Sequence, residues 1–292
     1  MNRAAAGWWF SLPALTLIGV FFLLPVVAAL LLSFTDFDLY ALADPANLRF
    51  VGFENYRTLL LTPLFWKALA NTALFVVLGV PLSLCASLGA ALLLDSSLAR
   101  CKPFLRTALF APVVTTLVAV ALIWRYLLHT RYGVLNYLLA KLGLGPVDWL
   151  GDPDWSMPSI VLLAVWKNFG YNMIILIAAL QAIPADLYEA ARIEGAGAWG
   201  RLRHVTLPLL APTLALVGIV TVSGYFQLFA EPYVMTQGGP LQSTVSVLYY
   251  MFDEGFTWWK LGYASSVAFV LFALILLFTA LQLRLARRLG QA

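Results

Sequence analysis

Residues 189–208 read EAARIEGAGAWGRLRHVTLP, a charged stretch that lies between two long apolar runs. Its acidic and basic side chains nearly balance, and its alanines are small enough to let another protein approach closely. Gly195 is expected to end a first short helix, because glycine adopts the left-handed conformation that helix ends need. Pro208 suits the first turn of the following helix. The alternative is an ordinary solvated helix between two spans. It would not explain why a glycine and a proline stand at these positions.

The composition is that of an integral membrane protein. Of the 292 residues, 62% are hydrophobic and 11% are charged, and the mean hydropathy is +0.87. A soluble chain of this length cannot bury so much apolar surface. The basic residues cluster beside the apolar runs, which indicates membrane topology, and no nucleic-acid partner is expected. Cys85 and Cys101 have no sensible disulfide partner and no metal-ligand spacing, so we expect no metal site.

Six apolar stretches are long enough to cross about 30 Å of hydrocarbon at about 1.5 Å per residue. They cover residues 8–32, 68–94, 107–124, 157–183, 205–230 and 261–283. The first is too long for a cleavable signal peptide and is expected to remain as a span. We predict an all-α integral membrane protein with six transmembrane helices. Residues 1–67 would form the first helix and first outer loop, and 68–292 a five-helix core with the loop 184–204.

The loop charges predict the orientation. With the N-terminus inside, the inner segments hold ten basic and four acidic residues, and the outer loops hold seven basic and ten acidic residues. Basic residues concentrate on the cytoplasmic side of membrane proteins. Both termini and the loop 184–204 are therefore expected in the cytoplasm.

Three motifs resemble those of ABC-importer permease subunits. Glu189-Ala190-Ala191, Gly195 and Val205-Thr206-Leu207-Pro208 have the spacing of the EAA loop of that family. Phe50–Tyr56 resembles the F-x-G-x-x-N-Y segment of sugar-type permeases, and Thr236–Pro240 resembles their T-x-G-G-P turn. The resemblance covers nearly the whole chain and points to carbohydrate importers of the maltose type. Two departures are Glu194, where Asp is usual, and the lack of the maltose subunit's extra spans and large insert.

This resemblance implies a non-enzymatic subunit with the type I ABC importer permease fold in the bacterial cytoplasmic (inner) membrane. It would import a sugar, with an oligosaccharide favoured, together with a homologous second permease, two ABC ATPase subunits and an extracytoplasmic solute-binding protein. ATP and Mg would bind to the ATPase subunits, and this chain would bind no cofactor. The loop would form two short cytoplasmic helices seated in a cleft of the ATPase. The residues expected to couple it to the ATPase are Glu189, Ala190, Ala191, Gly195, Leu207 and Pro208.

Two helical faces are candidates for the cargo path. Lys167 is the only charged residue within the six predicted spans, and a charge inside a bilayer normally faces a cavity or a partner. In the maltose-type family, the positions of Lys167, Asn168 and Tyr171 lie beside the bound sugar. At the end of the fifth span, Gly224, Gln227 and the adjoining Glu231 have the spacing i, i+3 and i+7. The predicted substrate-binding residues are Lys167, Asn168, Tyr171, Asn172, Gly224, Tyr225, Gln227 and Glu231.

Other interpretations remain open at this point. The same residues would also suit contacts with the sister permease, and Lys167 would suit a salt bridge to it. A phosphate ester such as glycerol-3-phosphate would favour a cation at Lys167. A secondary transporter would commonly need carboxylates or broken helices in its spans, and the predicted spans contain no carboxylate. A membrane-bound enzyme would need a catalytic constellation, which the sequence lacks.

Nucleotide binding by this chain is not expected. Gly195–Gly200 spells G-x-G-x-x-G, but that pattern carries meaning only between a strand and a helix. The sequence also contains no Gly-Lys-Ser or Gly-Lys-Thr, which a P-loop requires.

Overall fold

The computed structural model describes residues 3–96 and 99–289, which fold almost entirely as helices. The α-helices are α1 (Arg3–Ile18), α2 (Leu24–Leu32), α3 (Leu39–Ala43), α4 (Glu54–Leu61), α5 (Pro63–Asp95), α6 (Lys102–Val114), α7 (Leu117–Leu127), α8 (Val134–Lys141), α9 (Pro153–Gln181), α10 (Ala185–Ile193), α11 (Ala198–Arg201), α12 (Leu207–Phe226), α13 (Ala230–Met235), α14 (Val247–Phe252) and α15 (Leu261–Leu289). One isolated antiparallel bridge joins Thr35 to Phe50. The predicted all-α fold class is confirmed for these residues.

Five continuous helical segments in the described residues are long and apolar enough to cross a membrane. They are Phe10–Leu32, Pro63–Asp95, Pro153–Gln181, Ala198–Phe226 and Leu261–Ala286. The third predicted span is instead the pair α6 and α7, whose axes bend by 99°. Counting this pair as one span gives the predicted six.

The break between α6 and α7 follows from the local sequence. Val113, Val114, Thr115 and Thr116 form a β-branched run with low helix propensity. Thr115 and Thr116 adopt extended conformations. The Thr115 hydroxyl donates to the Pro112 carbonyl oxygen over 2.6 Å. The predicted span over 107–124 did not include this break, because hydrophobicity alone does not detect the run.

Two five-residue π-helical turns precede prolines. Gly19–Leu23 leads into α2 and Pro25, and Leu202–Thr206 leads into α12 and Pro208. A proline cannot donate a backbone hydrogen bond, and its ring crowds the carbonyl four residues earlier. The wider π turn relieves this crowding without ending the helix. The loop's second helix, α11, therefore continues into the fifth span and is not the separate short helix that the resemblance implied.

Contacts divide the chain into two compact units, residues 1–66 with 250–273, and residues 67–249 with 274–292. In the first unit, the segment Phe50–Tyr56 holds the start of α4 against the end of α2. The Asn55 amide donates to the carbonyl oxygens of Ser33 and Thr35 over 2.9 and 2.8 Å. The Tyr56 hydroxyl bonds the Ser33 hydroxyl over 2.7 Å. These contacts explain the Phe50–Tyr56 motif by its packing. The predicted division at residue 67 stays a prediction.

The second unit contains an apolar core in which α5, α9 and α12 meet. Its buried members are Ala91, Leu94, Met173, Leu176, Ile177, Leu180 and Leu210. Nearby, α6 packs closely against α9. The close approach is shown at Gly170, where a Cβ would lie only 2.4 Å from the Leu109 carbonyl oxygen. A small residue at such a position lets two helix backbones approach. This core lies at the end of the unit where α12 begins.

The two bonds of Asn55 predict a measurable stability difference. Asn55→Ala leaves two backbone carbonyls without their donor, which should lower the free energy of unfolding by about 1 to 3 kcal/mol. The control is Asn47→Ala, because Asn47 is exposed and its amide forms a single 3.3 Å bond to the Tyr40 carbonyl. Thermal unfolding of the purified protein in detergent should show a clearly larger loss for Asn55→Ala. Equal losses would contradict the packing role.

Candidate functional site

The second unit contains a cavity of about 290 Å³ formed by α5, α6, α9, α12, α13 and the turn between the last two. Its lining residues are Phe75, Val113, Asn168, Tyr171, Asn172, Val220, Thr221, Gly224, Tyr225, Gln227, Leu228 and Glu231. Seven of the eight residues predicted to bind the cargo are among them, and Lys167 is not. The structure therefore brings the two predicted faces together around one space. That a cargo binds there stays a prediction.

The α9 face of the cavity combines one fixed amide with two more accessible groups. The buried Asn172 donates to the Thr221 hydroxyl over 3.0 Å, and Thr221 donates to the Val217 carbonyl oxygen over 2.7 Å. This chain of bonds ties α9 to α12. Asn168 donates to the carbonyl oxygen of Ala164 over 2.9 Å and is half-buried, while Tyr171 keeps 51% of its surface exposed. An aromatic ring and amides thus face the same space.

Gly224, Gln227 and Glu231 line the cavity, but they do not share one helical face as predicted. Helix α12 ends at Phe226, so Gln227 and Glu231 do not continue one helical face with Gly224. A turn over residues 227–229 instead directs the chain into α13, whose Glu231 is buried with 9% exposure. The i, i+3, i+7 reasoning was wrong in its geometry, although all three residues line the cavity. The apolar composition of residues 205–230 hid the break.

Tyr225 is the buried aromatic residue at the centre of this wall. Its ring lies 4.9 Å from the Phe75 ring, and its hydroxyl lies close to the side chains of Ser83 and Asn168. Gly79 makes room for it, since a Cβ there would lie 2.6 Å from Tyr225 Cε2. The sequence analysis missed Phe75 and Gly79, because both belong to α5 and no local motif links that helix to the cavity.

Lys167 has a structural partner in this unit. Its ammonium donates to the Val113 carbonyl oxygen over 2.9 Å, and the side chain is buried with 8% exposure. Val113 is in the last turn of α6, where backbone carbonyls lack helical partners and a cation is favourable. Lys167 thus stabilises the break in the third span. Its predicted contact with cargo or with a sister subunit remains untested by this geometry.

The predicted coupling loop begins with a well-formed helix end. Helix α10 ends at Ile193, and Gly195 has φ +85°, in the left-handed region. The amide of Gly195 donates to the Arg192 carbonyl oxygen over 3.0 Å, and that of Ala196 donates to Ala191 over 2.8 Å. This pair of bonds is a Schellman motif, in which glycine has no Cβ penalty. The predicted helix break at Gly195 is confirmed.

The same loop exposes apolar side chains. All nine residues of α10 lie in the described part of the chain, and none is buried. Ile193 is 87% exposed and Trp199 is 70% exposed, and Leu187 is also exposed. Glu189 and Ala190 are exposed beside them, and Ala191 is partly exposed. Exposed apolar residues within a charged segment indicate a protein-binding surface, and the sequence analysis did not single out Ile193 or Trp199.

The chain matches the family model described as binding-protein-dependent transport system inner membrane component over residues 3–291. It belongs to that family. This permease is 36% identical over 286 residues to the lactose transport system permease protein LacF of Rhizobium radiobacter, covering 96% of this chain and 94% of that one. It is also 36% identical over 275 residues to the sulfoquinovosyl glycerol transport system permease protein SmoG of Agrobacterium fabrum, covering 94% and 88%.

The permease fold agrees with a solved structure. A chain of the crystal structure of a bacterial ABC transporter involved in the import of the acidic polysaccharide alginate superposes with a TM-score of 0.83. The match covers 98% of this permease and 96% of that chain at 22% sequence identity. The prediction of a type I ABC importer permease fold is thereby confirmed, as is the recognition of a multi-pass inner-membrane component.

The contact between Gly79 and Tyr225 predicts a position-specific effect in α5. Gly79→Ala places a methyl group against the Tyr225 ring, and such overpacking typically costs about 1 to 3 kcal/mol. Gly89→Ala is the control. Gly89 lies in the same helix, and a Cβ there would meet no described atom within 4 Å. Thermal unfolding of the purified permease should show a loss for Gly79→Ala and little change for Gly89→Ala. Identical midpoints for the two variants would contradict the packing.

Proposed function

We propose that this permease carries a sugar, with an oligosaccharide favoured, across the cytoplasmic membrane as one of two permease subunits of an ABC importer. The observation that carries the proposal is the cavity around Asn168, Tyr171 and Tyr225, in a chain whose relatives include permeases named for lactose and sulfoquinovosyl glycerol transport. Two ATPase subunits would hydrolyse ATP, and an extracytoplasmic binding protein would deliver the cargo. Both termini and the coupling loop would face the cytoplasm.

The chemistry of the cavity supports a sugar. Sugar hydroxyls are bound by planar amides, and sugar C–H faces stack on aromatic rings; Asn168, Gln227 and Tyr171 supply these groups. The Tyr225 hydroxyl, beside Ser83 and Asn168, would add a further polar group for a sugar hydroxyl.

The loop chemistry supports coupling to a separate ATPase. Helix α10 carries Glu189, Ala190 and Ala191 on a segment without buried residues, and α11 continues through the π turn into the cavity-lining α12. A displacement of the loop would thus reach the cavity through α12. Coupling requires that the inward-open and outward-open states differ in their affinity for nucleotide and cargo.

The alternatives have less support. The phosphate-ester cargo depended on a free cation at Lys167, whose ammonium bonds the Val113 carbonyl instead, and neither relative described above is named for such a cargo. A secondary transporter would move cargo uphill without ATPase subunits. Uptake by this chain alone in liposomes, driven by a proton or sodium gradient, would establish that alternative and exclude the proposed one.

The cargo assignment predicts a change in affinity without loss of the ATPase cycle. Tyr171→Ala and Asn168→Ala should each raise the half-saturation of sugar uptake roughly two- to tenfold, the factor for one lost hydrogen bond. Basal ATPase activity should stay unchanged. Ile174→Ala is the control, because Ile174 lies on α9, is exposed and is not among the cavity-lining residues.

The measurement uses the whole transporter in proteoliposomes with a panel of labelled di- and oligosaccharides, and with glycerol-3-phosphate as the anionic comparison. An unchanged half-saturation in both cavity variants would place the cargo elsewhere. Saturable uptake of glycerol-3-phosphate in preference to every sugar would overturn the cargo class.

The proposed coupling role of the loop predicts that Gly195→Val and Gly197→Val have different effects on transport. Gly195→Val forces a β-branched residue to φ +85° and should reduce cargo-stimulated ATPase activity and uptake several-fold. Gly197→Val is matched to it, because Gly197 has φ −66° and open space at its Cβ. Glu189→Lys, which reverses a charge on the exposed face of α10, should resemble Gly195→Val. Normal uptake in both Gly195→Val and Glu189→Lys would show that the loop does not couple.

A further inference from the structure

A hydrogen bond joins the coupling loop directly to the start of the fifth span. The Tyr188 hydroxyl on α10 lies 3.1 Å from the Thr206 hydroxyl. Thr206 is the last residue of the π turn before α12. Tyr188 is half-buried and Thr206 is buried with 4% exposure. The Thr206 hydroxyl also donates to the Arg201 carbonyl oxygen over 3.4 Å. Either hydroxyl can donate in the bond between Tyr188 and Thr206, and both bonds of Thr206 form together when Tyr188 is the donor.

The covalent path between the same two elements is poorly suited to transmit a displacement. It runs through Gly195-Ala196-Gly197, and glycine residues allow wide changes of φ and ψ at low cost. The Cβ positions of Gly195 and Gly197 meet no described atom within 4 Å, so the joint is held by the backbone bonds of the Schellman motif and not by packing at these two glycines. Helix α10 also has no buried residue. A force on α10 would therefore be absorbed at the joint unless a second contact bypasses it.

Beyond Thr206 one continuous helix leads to the cavity. Helix α12 begins at Leu207 and is anchored by Leu210 in the buried core with α5 and α9. Fourteen residues after Leu207, about 21 Å along the helix axis, comes Thr221, which bonds Asn172 in the cavity. A displacement that reaches Thr206 is thus carried to the wall of the cavity by one helix.

We propose that Tyr188 is a positioning residue for transport, whose hydrogen bond to Thr206 transmits movement of α10 to α12 and bypasses the glycine joint. This inference rests on the proposed coupling of the loop to an ATPase. The bond would keep α10 in a fixed relation to the π turn when the partner moves α10. Removing it would leave the ATPase attached and active while it drives the span less effectively.

The test is a double-mutant cycle in the complete transporter reconstituted in proteoliposomes. Tyr188→Phe removes only the phenolic oxygen, Thr206→Val replaces the threonine hydroxyl by a methyl group, and Thr206→Ser retains a hydroxyl. For each variant, uptake of a sugar that the unmodified transporter carries is divided by the ATP hydrolysed at the same time. Basal ATPase activity, co-purification of the ATPase subunits and the thermal midpoint are measured alongside.

Tyr188→Phe and Thr206→Val are each expected to lower uptake per ATP roughly two- to tenfold, the factor for one lost hydrogen bond, with basal activity and co-purification retained. The double variant should lose no more than the worse single variant, because both remove the same bond. Thr206→Ser should restore most of the ratio. The inference is overturned if uptake per ATP is unchanged in both single variants, if their losses add, or if only the thermal midpoint falls.

The proposed function and this inference fail in different ways. If Gly195→Val or Glu189→Lys uncouples the transporter while Tyr188→Phe does not, the loop couples without this bond. If none of these variants changes uptake per ATP, the coupling role of the loop itself is wrong.

Discussion

Backbone groups within the hydrocarbon must be hydrogen-bonded inside the protein, because lipid tails offer no partner. This constraint explains the irregular positions described below. Where α6 stops at Val114, the Thr115 hydroxyl and the Lys167 ammonium bond the carbonyl oxygens of Pro112 and Val113. A broken span is tolerated there because side chains supply the donors that the helix no longer provides. A cation from a neighbouring helix thus bonds the backbone at the bend of 99°.

The same constraint explains how the helices accept proline. Pro25 and Pro208 each follow a π turn in which the backbone donates to a carbonyl five residues earlier. The wider turn keeps the segment helical, so the chain does not leave the helix at these prolines. At Pro208 the π turn joins α11 to α12 in one continuous helical segment. Without the π turn, the coupling loop and the cavity wall would be separated by a kink or a break.

The sequence predicted those features that repeat locally or match a motif. The apolar runs gave the spans, the spacing around Glu189 gave the loop, and Gly195 was correctly expected to end α10. It failed where a distant partner decides the outcome. The sequence pattern did not reveal the bond from Lys167 to the Val113 carbonyl oxygen of α6, and the predicted contact of Lys167 with cargo or a sister subunit stays a prediction. Hydrophobicity likewise extended the fifth span past Phe226, although the helix ends there.

The cavity residues were predicted more accurately than the geometry that gathers them. Asn168, Tyr171 and Asn172 follow helical periodicity on α9, and this local rule is sufficient to place them on related faces. Glu231 reaches the cavity only because α12 ends and α13 folds back, which no periodicity describes. Tyr225 is held by Phe75 and by the space at Gly79, both on α5. A polar face can thus be found from sequence, but its enclosure depends on contacts between helices that are far apart in the chain.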